Sequence, residues 1–268
     1  MYTKEFYITE PVGNNAFSYE KRKHKKLYIP SLKSIESFDE VELLRPVSGD
    51  RSLVTFEDYD FDDVLQTCYG LKNLYELYWK WKQVFLIDNH NHAYYFWYLA
   101  RSQGVIDVGV RVYHIDAHAD MRDPWEYLMK PESHDMQKVF EYTNFTLNVG
   151  NFIVPAMREW LVGEVVQIRG EEDLYMYLGQ AQDLPLQEAC RDTSCGYPET
   201  QQNIILDLDL DFFAPEMDYI DFTLAKEVIL DIASKADLIT ICTSPFFVDQ
   251  ERALKFLREI FDKTNNYL

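Results

Sequence analysis

Residues 111–123 read RVYHIDAHADMRD. Val110, Val112, Tyr113 and Ile115 favour an extended strand. Asp116, His118 and Asp120 then follow at a spacing of two, separated only by Ala117 and Ala119. Alternate residues of an extended chain share a face, so Asp116 and His118 can point to one spot and Asp120 can reach it from the loop. The small alanines leave room for an ion beside the backbone. A satisfied polar turn accounts for a lone Asp-x-His, but poorly for three metal-ligating side chains crowded at a strand end.

Upstream, residues 84–87 (VFLI) read as a short buried strand running into Asp88-Asn89-His90-Asn91-His92, with a helix over 93–102 that Asn89 or Asn91 is placed to cap. Downstream, residues 203–215 read NIILDLDLDFFAP. Period-two alternation sets Asp207, Asp209 and Asp211 on one face of a strand flanked by Ile, Leu and Phe. Three like charges buried together cost several kcal/mol each unless cations compensate them.

Elsewhere the pattern predicts short strands at 6–8 and 27–29, a helix over 63–82, a short strand at 146–149 and a helix beginning at Pro155. It continues with a strand at 165–168, a helix over 171–178, a long surface loop over 180–202, a helix over 223–234, a strand at 238–242 and a helix over 249–263. From residue 84 onward strands alternate with helices. The expected fold is therefore α/β, three-layered, with a mostly parallel sheet and helices on both faces. Ligands bind such sheets at the carboxyl ends of strands, where all three polar clusters sit. We expect a single domain over 1–268, with 1–80 as an N-terminal extension packed on a metal-site core at 84–262.

The chain has 268 residues, 47% of them hydrophobic and 15% aromatic, ample for a filled core. A formal charge of −19 argues against nucleic-acid binding, which needs clustered Lys and Arg, and is compatible with a cationic substrate. The one basic run is Lys21, Arg22, Lys23, His24, Lys25 and Lys26, read as a solvated loop or as a docking patch for an acidic peptide segment. Cys68, Cys190, Cys195 and Cys242 lack zinc-site spacing, although Cys190 and Cys195 are close enough to pair. No apolar run has membrane-spanning length and the first residues have no signal core, so a reducing cytoplasm and no membrane contact are expected.

The three clusters offer one or two histidines, then Asp-His-Asp, then two or three aspartates, more ligands than one tetrahedral zinc takes. Oxygen-rich ligation with some imidazole suits Mn²⁺ first, and bridging carboxylates suit two ions about 3.5 Å apart, an arrangement that activates water for hydrolysis. No Gly-x-Ser-x-Gly is present to support a serine nucleophile.

Asp116-Ala117-His118-Ala119-Asp120 resembles the Asp-Ala-His-x-Asp signature of the arginase/ureohydrolase superfamily. Residues 207–215, DLDLDFFAP, resemble its Ser-x-Asp-x-Asp-x-x-Asp-Pro signature, and Asn89-His90 its Asp-His after a strand. Together LIDNHNHA, YHIDAHAD, GNFIVPA and LDLDLDFF look most like the arginase-like family containing the peptide arginases, which convert arginine side chains in ribosomally made peptides to ornithine and urea.

The resemblance implies two Mn²⁺, one held by His90, Asp116, Asp120 and Asp209, the other by Asp116, His118, Asp209 and Asp211. Asp207 stands where the signature has serine and would steer a ligand; His92 and His114 would likewise contact ligands rather than ions. His134, with Asp120, is placed in a catalytic role, near where arginases keep a proton-shuttling histidine. The position where arginases hold a guanidinium-binding Glu falls near Cys242, leaving Asp123, Asp249 and Glu251 as candidate acids. The final Asp of the third signature is Ala214. Arg122 replaces the Asn that reads a free amino acid's carboxylate, which fits an arginine whose α-groups are tied up in a precursor peptide. The competing readings are an agmatinase or deacetylase type of the same fold, and a non-catalytic metal-stabilised binding protein.

Overall fold

The computed structural model describes residues 1–47, 49–128, 130–183 and 202–261. The chain runs β1 (Phe6–Ile8), β2 (Leu27–Ile29), β3 (Leu32–Ser34), β4 (Phe56–Tyr59), β5 (Leu65–Cys68), β6 (Leu74–Trp79), β7 (Lys82–Ile87), α1 (His92–Ser102), β8 (Val110–Ile115) and α2 (Met136–Phe145). It continues through α3 (Ile153–Arg158), β9 (Val162–Ile168), α4 (Glu171–Asp183), β10 (Ile204–Asp209), α5 (Phe222–Lys235), β11 (Leu238–Cys242) and α6 (Gln250–Ile260).

A seven-stranded sheet in the order β3-β6-β7-β11-β10-β8-β9 forms the middle layer. All its pairings are parallel except β6 with β7. The central strands are apolar almost throughout, as strands covered on both faces must be. Side chains alternate between the faces. Val84, Leu86, Leu206, Leu208, Ile239 and Ile241 pack with α5 and α6, whereas Phe85, Ile87, Val112, Ile205 and Leu238 pack with α1, α2 and α3. The expected three-layer α/β architecture is thus present. The first eighty residues also lend the sheet β3 and β6, and form two small ribbons, β1–β2 and β4–β5.

What positions the site is the register of four neighbouring parallel strands. Leu208 lies opposite both Ile115 and Ile241, Asp209 opposite Cys242, and Cys242 opposite Ile87. β7, β11, β10 and β8 therefore end flush, and the loops leaving them converge.

Several local expectations are corrected. Residues 63–82 form β5 and β6, not a helix. Near-helical spacing of Leu71, Leu74, Leu77 and Tyr78 loses to pairing of β6 with β7 through a two-residue turn in which Lys80 and Trp81 have φ 45° and 70°. That backbone suits a tight hairpin, but lacks the Asn-Gly or Asp-Gly that usually announces one. Gly70, which weakened the helix, lies where an added Cβ would come 2.8 Å from Asp88 Cβ. Residues 146–149 form no strand; the side chains of Asn148 and Asn151 hold a turn there. α3 begins at Ile153, two residues before Pro155. The strand carrying Asp207 and Asp209 stops before Asp211, which sits in a 3-10 turn over Leu210–Phe213. The expected loop over 180–202 overlaps the end of α4, and its remainder, with Cys190 and Cys195, lies largely outside the described residues.

Candidate metal centre

Asp88, Asp116, Asp120, Asp207, Asp209 and Asp211 all lie at the flush strand ends with no more than 9% exposure. Among the described residues no Lys or Arg pairs with any of them; their ionic partners are histidines. The expected ligands meet around His90. Its Nδ1 lies 3.1 Å from Asp116 Oδ2, 3.0 Å from Asp120 Oδ2 and 3.1 Å from Asp209 Oδ2. Yet Nδ1 makes no hydrogen bond to any of them, and Asp116 Oδ2 is likewise without a hydrogen-bond partner.

That arrangement fits an ion better than a salt-bridged imidazolium. A protonated ring would aim its N–H at one oxygen. An octahedral ion with bonds of about 2.1 Å instead spaces neighbouring ligand atoms about 3.0 Å apart, with every lone pair pointing inward. Next to this group, Asp116, His118 and Asp211 also bring ligand atoms together, with His118 Nδ1 2.8 Å from Asp211 Oδ2 and 3.4 Å from Asp116 Oδ1. Asp116 is common to both groups.

The ring of His114 supports the cluster from below. Its Nδ1 lies 2.8 Å from Asp207 Oδ2, which is also 3.1 Å from His90 Nε2. The other oxygen of Asp207 accepts a hydrogen bond from Thr240, whose hydroxyl accepts one from the Trp97 indole at 3.2 Å. Asp207 thus holds the His114 ring and lies beside that of His90, whose Nε2 makes no hydrogen bond to it; such a carboxylate–histidine contact fixes imidazole orientation in metal sites. His92 faces elsewhere: its Nδ1 pairs with the Tyr2 hydroxyl at 2.7 Å and its Nε2 is 3.8 Å from Asp88.

Sequence reasoning missed Thr240 and Ser244. Ser244 donates to Asp209 Oδ2 and stands 3.2 Å from Cys242 Sγ. Its φ is 39° and that of Asp120 is 49°. Left-handed non-glycine residues are costly and gather at functional sites. The Ser244-Pro245 break after β11 was the available signal.

Other candidates lie outside these ligand groups. Asn89 and Asn91 do not cap α1; their amides donate to the carbonyls of Thr55 and Thr143. Asp249 caps α6 through Arg252 N, and Glu251 pairs with Arg45 at the surface. Asp123 and Arg122 are exposed, as is His134 on the 3-10 turn Lys130–His134. Among the described residues no helix is long and apolar enough to cross a membrane.

Without an ion, the charges distort one another. Burial pulls His114 down, but Asp116 and Asp207 outweigh it and carry it up to about 10. His90 is likewise held well above its usual value by the carboxylates despite burial. Burial and the Asp116 charge push Asp120 up to about 6, and burial with Asp116 and Asp209 pushes Asp211 well up. Burial raises Asp88 to about 7 against the hydrogen bonds with Asn89, and lowers His92 to about 3. Asp116 and Asp207 are burdened by burial too, but the surrounding histidines bring both below the usual range.

The sign of the pH dependence follows. Stabilisation from His114 is complete below its usual 6.5 and is lost as pH rises to about 10. The Asp120 contribution, complete below 3.8, is lost as pH rises through about 6. The lowered groups Asp116 and Asp207 act only below 3.8, outside this window. A chelator-treated chain should therefore melt at a lower temperature near about pH 9 than near about pH 6. Ions displace protons, so the gap in Tm between ion-loaded and chelated chain should widen over the same interval. A gap independent of pH would count against ion binding in this cluster.

No protein-family model and no curated protein matches the chain. Among solved structures it is similar to the crystal structure of Helicobacter pylori arginase, at 13% sequence identity and a TM-score of 0.37, over 66% of this chain and 70% of that one.

Proposed function

We propose that this chain is a metal-dependent hydrolase that releases urea from an arginine side chain, and that the arginine belongs to a peptide. The observation that carries the reading is the ring nitrogen of His90 surrounded at 3.0–3.1 Å by three carboxylate oxygens to which it does not bond. His90, Asp116, Asp120 and Asp209 would hold one divalent cation. Asp116, His118, Asp209 and Asp211 would hold a second, and the oxygen-rich donor set suits Mn²⁺. Such a pair activates water near neutral pH and draws charge from the carbon under attack.

The chain's own groups supply the rest. Asp207, anchored by Thr240, keeps the His114 ring in orientation beside that of His90. Asp120 places a carboxyl oxygen where a proton from water can be accepted. His134, exposed on its turn, carries a proton toward the departing amine. Exposed Arg122, in place of a carboxylate-reading Asn, supports a substrate without a free α-carboxylate, and the −19 charge favours a cation.

The test is incubation of the Mn²⁺-loaded chain with arginine-containing peptides, free arginine and agmatine. Urea should form from the peptides, with each product lighter by the difference between arginine and ornithine. A chain carrying both ions that alters none of these guanidines would sink the reading, and one that holds a single ion and cleaves acetyl-lysine would replace it with a deacetylase.

A further inference from the structure

We propose that Cys242 is a further ligand of the ion beside His90, so that this position prefers a thiolate-binding divalent cation such as Zn²⁺ or Co²⁺ to Mn²⁺. The inference rests on the reading that His90 holds an ion, and refines which ion that is.

Cys242 ends β11, opposite Asp209 on one neighbouring strand and Ile87 on the other. It is fully buried. Its Sγ and the ligand atoms of His90 and Asp209 all lie within 4.8 Å of one another. Metal–sulfur bonds of about 2.3 Å and metal–nitrogen bonds of about 2.1 Å put opposite ligands of one ion about 4.4 Å apart, and adjacent ones closer. The group therefore has the dimensions of a single coordination sphere, and it shares His90 with the group of Asp116 and Asp120.

A buried cysteine is ordinarily a small apolar filler, and Cys242 does contact the apolar layer on the α1 side. Its polar company sets it apart. Its thiol donates to the Asp88 carbonyl at 3.3 Å and lies 3.2 Å from the Ser244 hydroxyl. That hydroxyl also donates to Asp209 Oδ2, from a serine held at φ 39°. One strained residue thus fixes both the thiol and a carboxylate of the cluster, beside a buried His90 Nδ1 that lacks a hydrogen-bond partner. A purely apolar role needs none of this.

On ligation the S–H bond breaks, its proton passes to solvent and a sulfur–metal bond forms; coordinating thiols are deprotonated outright. A soft sulfur donor moves preference toward Zn²⁺ and Co²⁺, whereas the sulfur-free group of Asp116, His118 and Asp211 keeps the preference of a hard site.

Cobalt spectroscopy reads this directly. In a chain carrying Cys68→Ser, Cys190→Ser and Cys195→Ser, Cys242 is the remaining thiol. Adding Co²⁺ should produce visible ligand-field bands together with a near-ultraviolet thiolate-to-cobalt charge-transfer band. A further Cys242→Ser change should remove the second and keep the first. It should also lower the Zn²⁺ over Mn²⁺ affinity ratio by about tenfold or more. Ligand-field bands with no charge-transfer band would overturn the role of Cys242 and leave the ion at His90 standing. No cobalt bands at all would overturn both. Should the serine variant fail to fold, X-ray absorption of the zinc-loaded single-thiol chain decides the matter, by the presence or absence of sulfur at about 2.3 Å.

Discussion

Asp209→Asn should reduce hydrolysis to background and strip the ion from the His90 group, yet change the stability of the ion-free chain far less than that of the ion-loaded one. Asp209 Oδ2 is one of the three oxygens around His90 Nδ1, so the amide removes a ligand charge from the centre of the cluster. Little else changes. The remaining carbonyl oxygen can still accept the Asp211 N–H now bonded to Oδ1 at 2.9 Å, and Ser244 can exchange its donor role for an acceptor's. In the ion-free chain the substitution removes a carboxylate that repels Asp211 and attracts His90, so the two electrostatic changes oppose one another. With ion present at a hundred times its dissociation constant, the unsubstituted chain gains about 2.7 kcal/mol that the variant forgoes. Tm measured with and without Mn²⁺, beside metal content, separates these effects. An Asn variant that still carries two ions and hydrolyses peptide would show that the cluster is not the reaction centre.

Arg22→Met should cost about 3–5 kcal/mol of stability, the penalty for stranding a buried charge. The Arg22 and Glu57 side chains are both fully buried, with Nη1 3.9 Å from Glu57 Oε2. The guanidinium also donates to the Glu57 carbonyl at 2.9 Å and to the Asn15 backbone and side-chain oxygens at 2.7 and 2.8 Å. Without it, Glu57 keeps, among the described residues, a hydrogen bond from the Thr67 hydroxyl and a 3.4 Å contact from half-exposed Arg51. Pairing the change with Glu57→Gln should recover much of the loss in urea denaturation, because no charge is then stranded; an equal loss in the double variant would point to packing instead. The same geometry corrects the basic run. Arg22 is a core strut, while Lys21, Lys25 and Lys26 lie over the rings of Tyr59, Tyr19 and Tyr7 at 5.7, 4.4 and 4.3 Å.

The difference between what could and could not be read in advance has a physical cause. Asp116, His118, Asp209 and His90 announced themselves because parallel interior strands read as unbroken apolar runs, against which charged residues at the ends stand out. β6 did not, because its identity lies in its partner: Lys80 and Trp81 turn the chain without the residues that usually mark a turn. Arg22 looked like surface because its partners Asn15 and Glu57 are defined by three-dimensional contact and not by spacing. Thr240 and Ser244 were hidden for a similar reason. A hydroxyl at a strand end carries no periodicity, and its role is visible only once β11 is known to lie beside β10.

His90 and His118 differ sharply in reach: the side chain of the first is 1% exposed, that of the second 46%. The two halves of the centre are therefore kinetically unlike. An ion at His118 and Asp211 would exchange with solvent through an open side, whereas one at His90 would leave only when the strand-end loops part. By the same accessibility the outer position would fill first from solution and empty first on dilution. A fully loaded preparation brought down to one ion per chain by dilution would then be a defined species with its inner half filled, rather than a mixture of empty and full molecules.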